Sequence, residues 1–241
     1  MVTRCDGAAL LHVLEAAATR FDRDVDEIDA LNVYPLPDGD TGRNMRHTIG
    51  EAVRRARAAE PTASAVAAAA AQGALMGARC NSGVILSQMI RGLRDAFAGK
   101  AEVGPADLRR ACELARSYAY GAVEKPAEGT MLSCCAEMQA ALDATADDPI
   151  AILRCLVESG VAAVERTMGA NPMNDAAGVV DAGAYGVWVL LHGALGALDP
   201  AASISAPVLR RSGAPTSVAA SARPLDVAAW TGGHCVQFLV S

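Results

Sequence analysis

The chain has 241 residues, of which 52% are hydrophobic and 20% are charged, so it can form a core of its own and is neither disordered nor fibrous. Only 4% of the residues are aromatic and alanine is the commonest residue, which favours helices and argues against an all-β fold. The net charge of −6 argues against nucleic acid as the principal partner.

Two further sequence-wide patterns bear on location. No apolar run reaches the roughly 18 residues that a membrane span needs, and the first 21 residues have the pattern of an amphipathic helix rather than a signal peptide. The seven cysteines are scattered and form no CxxC pair, which favours buried thiols over a zinc site or a disulfide framework. We therefore expect a cytoplasmic protein with no membrane span.

Hydrophobic periodicity predicts seven or eight helices and no strand before residue 200, hence an all-α bundle. The predicted helices cover about 8–21, 44–57, 62–78, 84–97, 105–123, 131–142, 150–164 and 187–198. A loop is predicted over 171–175, where an Asn-Pro pair interrupts the pattern.

Four breaks between these helices carry the residues of chemical interest. They cover 31–42, 77–83, 125–130 and 179–186, and each places small or acidic residues just before a helix. Helix N-termini present unpaired N–H groups and a positive dipole end, which suit phosphate groups. In the first break, Asp38 and Asp40 flank Gly39 and can turn to the same side, and oxygen ligands of this kind suit Mg²⁺. Taken alone, the same residues are also ordinary turn residues.

The four breaks together resemble the motifs of a known family. LNVYPLPDGDTGRNM (31–45), GARCNSGVILSQMIRG (77–92), KPAEGTML (125–132) and GVVDAGAYG (178–186) are similar, in order and spacing, to those of the dihydroxyacetone kinase L-subunit family. The first motif, with its Asn and two prolines, most resembles that of the N-terminal domain of fatty acid kinase A. The resemblance covers roughly residues 8–198.

This resemblance implies an eight-helix antiparallel barrel that holds ATP or ADP and two Mg²⁺ ions at one end. Asp38 and Asp40 match the family's metal carboxylates, and Asn32, the third predicted metal ligand, lies where dihydroxyacetone kinases carry a third Asp. The positions that match nucleotide-contacting segments are Thr41, Gly42, Asn44, Ser82, Gly83, Gly129, Thr130, Met131, Asp181 and Gly183.

Two basic residues lie beside these motifs, and three positions depart from the family pattern. Arg79 and Lys125 flank the second and third motifs, where they could neutralise charge on a transferring phosphoryl group or form structural ion pairs. Arg43 stands where a small residue is usual, Cys80 where Gly is usual, and Ala184-Tyr185 where the family has a Gly-rich pair. Cys80 matters most if its backbone requires a positive φ.

The expected domain organisation is a kinase domain over 1–199, a linker rich in Ala, Ser and Pro over 200–226, and a segment over 227–241. That last segment alternates like a strand at 234–240 and resembles the start of the domain that follows in fatty acid kinase A. Because a lone strand is not stable by itself, we expect it to pair elsewhere or to begin a further domain.

The expected function is ATP- and Mg²⁺-dependent phosphoryl transfer to an acceptor presented by a partner protein, with a fatty acid carboxylate as acceptor. One alternative is a dihydroxyacetone (glycerone) kinase L-subunit, whose acceptor is held by a dihydroxyacetone-binding subunit. A second alternative is a nucleotide-binding regulatory module without catalysis. Homodimer formation is left open.

Overall fold

The computed structural model describes residues 4–142 and 148–214. Within these ranges it contains ten helices and two short strands. They are β1 (Cys5–Asp6), α1 (Gly7–Asp22), α2 (Val25–Ala30), α3 (Thr41–Ala56), α4 (Ala63–Gly77), α5 (Cys80–Ala96), β2 (Glu102–Val103), α6 (Pro105–Gly121), α7 (Met131–Ala140), α8 (Pro149–Ala170), α9 (Pro172–Ala177) and α10 (Ala182–Leu198).

Eight helices of ten residues or more form a closed ring in the described part of the chain, which confirms the predicted all-α, eight-helix barrel. Each long helix packs against the next one along the chain, and α10 closes the ring by packing against α1. The two remaining helices, α2 and α9, have six residues each and lie between the long ones. None of the helices so described is both long and apolar enough to cross a membrane.

Two of the sequence predictions are wrong in detail. Strands β1 and β2 pair in antiparallel fashion, with Cys5 opposite Val103, although no strand was predicted before residue 200. Two-residue strands are too short to show alternation, so only the approach of distant segments creates them. The loop predicted over 171–175 is largely α9, because Asn171 caps it by accepting the Met173 N–H at 2.9 Å and Pro172 fits the first helical position.

Small residues allow the helices to approach closely. A Cβ atom added at Gly73 would lie 2.2 Å from the backbone oxygen of Glu51, so only glycine permits this contact between α4 and α3. Inside the ring, the side chains of several helices leave an apolar cavity of about 260 Å³. The interior of the barrel around this cavity is therefore apolar.

Residues 200–214, the first part of the predicted linker, have an irregular backbone that is held against the barrel. The Val180 N–H donates to Leu209 O at 3.0 Å, and the Arg211 N–H donates to Gly178 O at 2.7 Å. Arg210 forms an ion pair with Glu27 of α2. The rest of the predicted linker and the strand expected at 234–240 lie outside the described residues, and the domain boundary at 199 stays a prediction.

Candidate functional site

The N-termini of α3, α5, α7 and α10 lie at the same end of the barrel, because helices that follow one another in the ring run in opposite directions. Each of these four helices begins within one of the four sequence motifs. The barrel thus gathers at one end the breaks that are separated by up to about 140 residues in the sequence.

Direct contacts join the first and second motifs. The Thr48 hydroxyl donates to Asn44 O at 2.9 Å and lies 3.5 Å from Gly77 O. A Cβ atom at Gly83 would come within 2.7 Å of the same hydroxyl oxygen. The start of α5 is therefore packed against the first two turns of α3.

Contacts also join the fourth motif to the first and third. A Cβ atom at Gly186 would lie 2.9 Å from the sulfur of Met45, and one at Gly183 would lie 3.0 Å from the sulfur of Met131. The order around the end of the barrel is therefore the second motif, the first, the fourth and the third.

The two carboxylates of the first motif lie next to each other. Asp38 is exposed and Asp40 is half-buried at the position that precedes α3. Partial desolvation and the neighbouring Asp40 carboxylate raise the pKa of Asp38 above its ordinary value. Like charges held together in this way are stabilised by a cation, since an opposite charge nearby offsets their repulsion.

Asn32 is buried and organises the loop that carries these carboxylates. Its amide nitrogen donates to Leu36 O, and its amide oxygen accepts from the Thr41 hydroxyl. A carboxylate cannot donate the first of these bonds, which gives a physical reason for an amide at this position. The predicted metal ligand is therefore also a scaffold residue of the loop, and its oxygen has one lone pair left to offer.

Sequence reasoning missed Asp29, which lies on α2 and reaches the start of α3. Its Oδ1 atom accepts the Gly42 N–H at 2.7 Å and the Arg43 N–H at 3.3 Å. Arg43, one of the departures from the family pattern, donates to Gly39 O at 2.7 Å. The only sequence signal for this role was an acidic residue three positions before Asn32.

The N-terminus of α5 has no cap from its own preceding residue. Arg79 has extended backbone there and makes no capping hydrogen bond, and its side chain is exposed. Cys80 has a φ of 51°, the one positive φ of a residue other than glycine in the described ranges. From the sequence, Cys80 is expected to matter most if its backbone has a positive φ, and the structure has this φ. Ser82 is half-buried in the first turn that follows.

The third motif requires glycine at position 129. Gly129 has a φ of 70°, and a Cβ atom there would lie 2.5 Å from the backbone nitrogen of Asn171. Thr130 then caps α7, with its hydroxyl accepting the Leu132 N–H. Lys125 is exposed at the rim of the same loop.

Asp181 is buried and caps α10, with Oδ1 accepting the Ala184 N–H at 2.8 Å. Burial raises the pKa of Asp181 to about 6, although hydrogen bonds from Ala184, Met131, Asn174 and Gly183 lower it in part. Asn174, a second residue that sequence reasoning missed, also donates to Gly129 O at 3.3 Å. It therefore links the third and fourth motifs, and the loop predicted around it concealed this role.

The residues at this end fit a nucleotide with Mg²⁺. The Asn44 amide nitrogen and the Asn174 amide oxygen are buried and have no hydrogen-bond partner among the described residues. Buried polar atoms of this kind normally bind something, such as water or a ligand. Over the same residues, no three His, Cys, Asp or Glu side chains come together as a metal cluster. A pair of carboxylates is nevertheless enough for Mg²⁺, which keeps waters and takes phosphate oxygens as further ligands.

Residues 35–196 match the sequence model of the DAK2 domain, which is two thirds of the chain and includes Asp38, Asp40 and the second to fourth motifs. The chain belongs to the DAK2 domain family. This confirms the resemblance to the dihydroxyacetone kinase L-subunit family.

Relatives of known sequence are about one third identical to this chain over the regions that align. Protein YloV of Bacillus subtilis is 34% identical over 197 residues, which are 80% of this chain and 36% of YloV. An uncharacterized protein of Staphylococcus saprophyticus is 33% identical over 204 residues, 82% of this chain and 37% of that protein. The chain thus spans little more than a third of the length of these relatives.

A solved structure shares the fold. The dihydroxyacetone kinase from C. freundii, crystallised in complex with AMP-PNP and Mg²⁺, matches 81% of this chain and 35% of its own with a TM-score of 0.56. At 16% identity, this likeness supports the barrel fold alone.

Proposed function

We propose that this DAK2 domain transfers the γ-phosphoryl group of ATP, with Mg²⁺, to an acceptor presented by a partner protein. The observation that carries the proposal is the convergence of four helix N-termini around the adjacent carboxylates of Asp38 and Asp40. The N-termini suit phosphate groups, and the carboxylates suit a hard divalent cation.

Asp38, Asp40 and the remaining lone pair of the Asn32 amide oxygen would hold the two Mg²⁺ ions. When bound, these ions would neutralise charge on the phosphate oxygens. The first turns of α3 and α5, with Thr41, Gly42, Asn44, Ser82 and Gly83, would face the phosphates. The buried, unpartnered amide nitrogen of Asn44 supports this assignment, because it is a donor without an acceptor among the described residues.

The third and fourth motifs would complete the nucleotide site. Met131 contacts Asp181 and Gly183, and the Asn174 side chain links Asp181 to Gly129, which precedes Thr130. The Asn174 amide oxygen beside them has no partner in the described part of the chain. Arg79 and Lys125 are exposed at the same end and make no ion pair within the described residues, which leaves both available to a transferring phosphoryl group.

A carboxylate acceptor requires fewer catalytic groups in this site than a hydroxyl acceptor does. Its oxygen would attack the γ-phosphorus, the bond to the bridging β–γ oxygen would break, and ADP would leave with the electron pair. A fatty acid carboxylate is already deprotonated near pH 7, so no general base is needed. A hydroxyl acceptor such as dihydroxyacetone must lose a proton, and Asp38, Asp40 and Asp181 are already assigned to metal and helix capping.

We infer that the acceptor arrives on a separate protein, because in-line transfer depends mainly on positioning and no acceptor site is evident among the four motifs. Use of ATP is consistent with the expected cytoplasmic location.

The test is to measure ADP release by the chain with ATP and Mg²⁺ and one acceptor at a time. The acceptors are a fatty-acid-binding protein loaded with oleate, a dihydroxyacetone-binding subunit loaded with its ketose, free oleate and free dihydroxyacetone. We expect turnover with the oleate-loaded protein, and its loss in the Asp38→Asn, Asp40→Asn double variant.

Turnover only with the ketose-loaded subunit would instead assign the chain as a dihydroxyacetone kinase L-subunit. Nucleotide binding without turnover on any acceptor would favour a regulatory module. Efficient turnover of a free acceptor, in the usual enzyme range of about 1–1000 per second, would contradict the requirement for a partner.

A further inference from the structure

The N-terminus of α3 is capped by a residue from another helix. Asp40 occupies the N-cap position of α3, yet its side chain accepts no hydrogen bond from the amides of the first turn. Asp is among the preferred N-cap residues because its carboxylate ordinarily accepts from those amides. Here the amides of Gly42 and Arg43 are bound by Asp29 of α2, at 2.7 and 3.3 Å.

Close packing fixes Asp29 in this position. A Cβ atom at Gly42 would lie 2.5 Å from Val25 O and 3.0 Å from the Asp29 Oδ1 atom, so α2 rests directly on the first turn of α3. No side chain larger than hydrogen fits at position 42 without displacing α2.

Arg43 connects the cap to the loop between the two carboxylates. Its guanidinium donates to Gly39 O at 2.7 Å and lies 3.6 Å from the second carboxylate oxygen of Asp29. Gly39 stands between Asp38 and Asp40. The bridge from Asp29 through Arg43 therefore holds the loop on which both carboxylates are placed.

We propose that Asp29 is a positioning residue that caps α3 in place of Asp40 and so keeps the Asp40 carboxylate beside Asp38 for a divalent cation. This role rests on the proposed function, because it concerns the same metal site. Without Asp29, the first-turn amides of α3 would have no side-chain acceptor, and Asp40 stands at the N-cap position from which an Asp carboxylate ordinarily accepts from them. A capping Asp40 would be withdrawn from the cation.

The test measures the Mg²⁺ concentration that half-saturates binding of a fluorescent ADP analogue, a readout that needs no turnover. We expect Asp29→Ala to raise this midpoint about tenfold, which is the scale of a typical cap interaction. Asp29→Asn keeps an oxygen acceptor for the two amides and should stay within about twofold of the unmodified chain.

Asp6→Ala is the matched control. Asp6 caps α1 by accepting the Ala9 N–H at 2.8 Å, at the end of the barrel opposite to α3's first turn. We expect this variant to lower the melting temperature and to leave the Mg²⁺ midpoint unchanged.

Three results would overturn the role of Asp29: an unchanged midpoint in Asp29→Ala, an equal rise in Asp29→Asn, or an equal rise in the Asp6→Ala control.

If Asp29→Ala does not fold, Arg43→Ala decides instead. Arg43 is largely exposed, and loss of its hydrogen bond to Gly39 O should raise the midpoint about threefold. An unchanged midpoint in that variant overturns the proposal. Absence of Mg²⁺-dependent binding in the unmodified chain would overturn the proposed function itself.

Discussion

At the scale of single residues, Cys80 shows that the site contains backbone strain. Its φ of 51° lies in the left-handed region, which costs a residue with a Cβ atom about 1–2 kcal/mol. The strain lies at the first residue of α5, between Arg79 and Ser82, where the second motif enters the helix.

We predict that Cys80→Gly raises the free energy of unfolding by about 0.5–1 kcal/mol, because relief of strain exceeds the greater entropy of glycine in the unfolded chain. Urea denaturation measures this difference. Cys80→Ala is the control, since it removes the thiol and keeps the Cβ atom, so a stabilisation of equal size in both variants would show that the thiol, and not the backbone, was responsible.

Because its pKa is shifted, Asp181 makes the stability of the ligand-free fold depend on pH, with a definite sign. Burial raises its pKa from an ordinary 3.8 to about 6 in the folded chain. A group with a raised folded pKa contributes stability that is fully present below the unfolded pKa and is lost as pH rises through the folded pKa. Asp181 should therefore destabilise the ligand-free fold progressively between about pH 4 and pH 6.

We predict that Asp181→Asn gains stability relative to the unmodified chain by about 2 kcal/mol between pH 4.5 and pH 7.5, since the amide does not titrate and can still cap α10. The measurement is chemical denaturation of both ligand-free chains across this range. Asp148→Asn is the control, because Asp148 caps α8 at 2.8 Å from the Ala151 N–H but is only half-buried. A pH-independent difference for Asp181→Asn would contradict the prediction.

The sequence predicted residues whose chemistry recurs in a motif and missed those that act through the fold. Asp38 and Asp40 could be predicted from their residue type and spacing together with the three other motifs, since the pair alone is also typical of a turn. Asp29 and Asn174 could not, because each acts on a backbone group 13 and 45 residues away, respectively. Asn32 was predicted to be a metal ligand, while its two hydrogen bonds within the loop depend on geometry that no sequence pattern reveals.

At the scale of elements, most of the long helices could be predicted because they have apolar residues at helical spacing over several turns. Helix α4 could be predicted from its run of alanines, which favour the helix. The short elements could not. Helix α9 has six residues and depends on the cap at Asn171, while β1 and β2 exist only because the start of α1 approaches the connection between α5 and α6.

The contact between the third motif and the end of α8 is an element-scale constraint on the site. We predict that Gly129→Ala lowers the free energy of unfolding by about 2–4 kcal/mol, because the added methyl would lie 2.5 Å from a backbone nitrogen at a φ of 70°. Thermal or urea unfolding measures the loss. Gly169→Ala is the control nearby, where a Cβ atom meets nothing within 4 Å, and it should be neutral or slightly stabilising. A loss below about 1 kcal/mol for Gly129→Ala would contradict the prediction, because it would mean that the backbone at Asn171 moves aside at little cost.

At the scale of the whole molecule, ring closure brings the four motifs together. Because α10 packs against α1 and alternate helices run in opposite directions, the breaks near residues 40, 80, 130 and 181 all face one end. Periodicity predicted the helices but not the closure, which came only from the family resemblance. The segment that follows α10 contacts the same end, through Leu209 and Arg211 beside Val180 and Gly178.

The central claim is that this end of the barrel is one site for a nucleotide with Mg²⁺. The most direct measurement is calorimetric titration of ADP into the unmodified chain and into the Asp38→Asn, Asp40→Asn double variant, each with Mg²⁺ and with a chelator. We expect binding only in the unmodified chain with Mg²⁺, with the variant still helical by circular dichroism. Equal ADP affinity in the variant, or in the chelator, would contradict the claim and place any nucleotide site elsewhere.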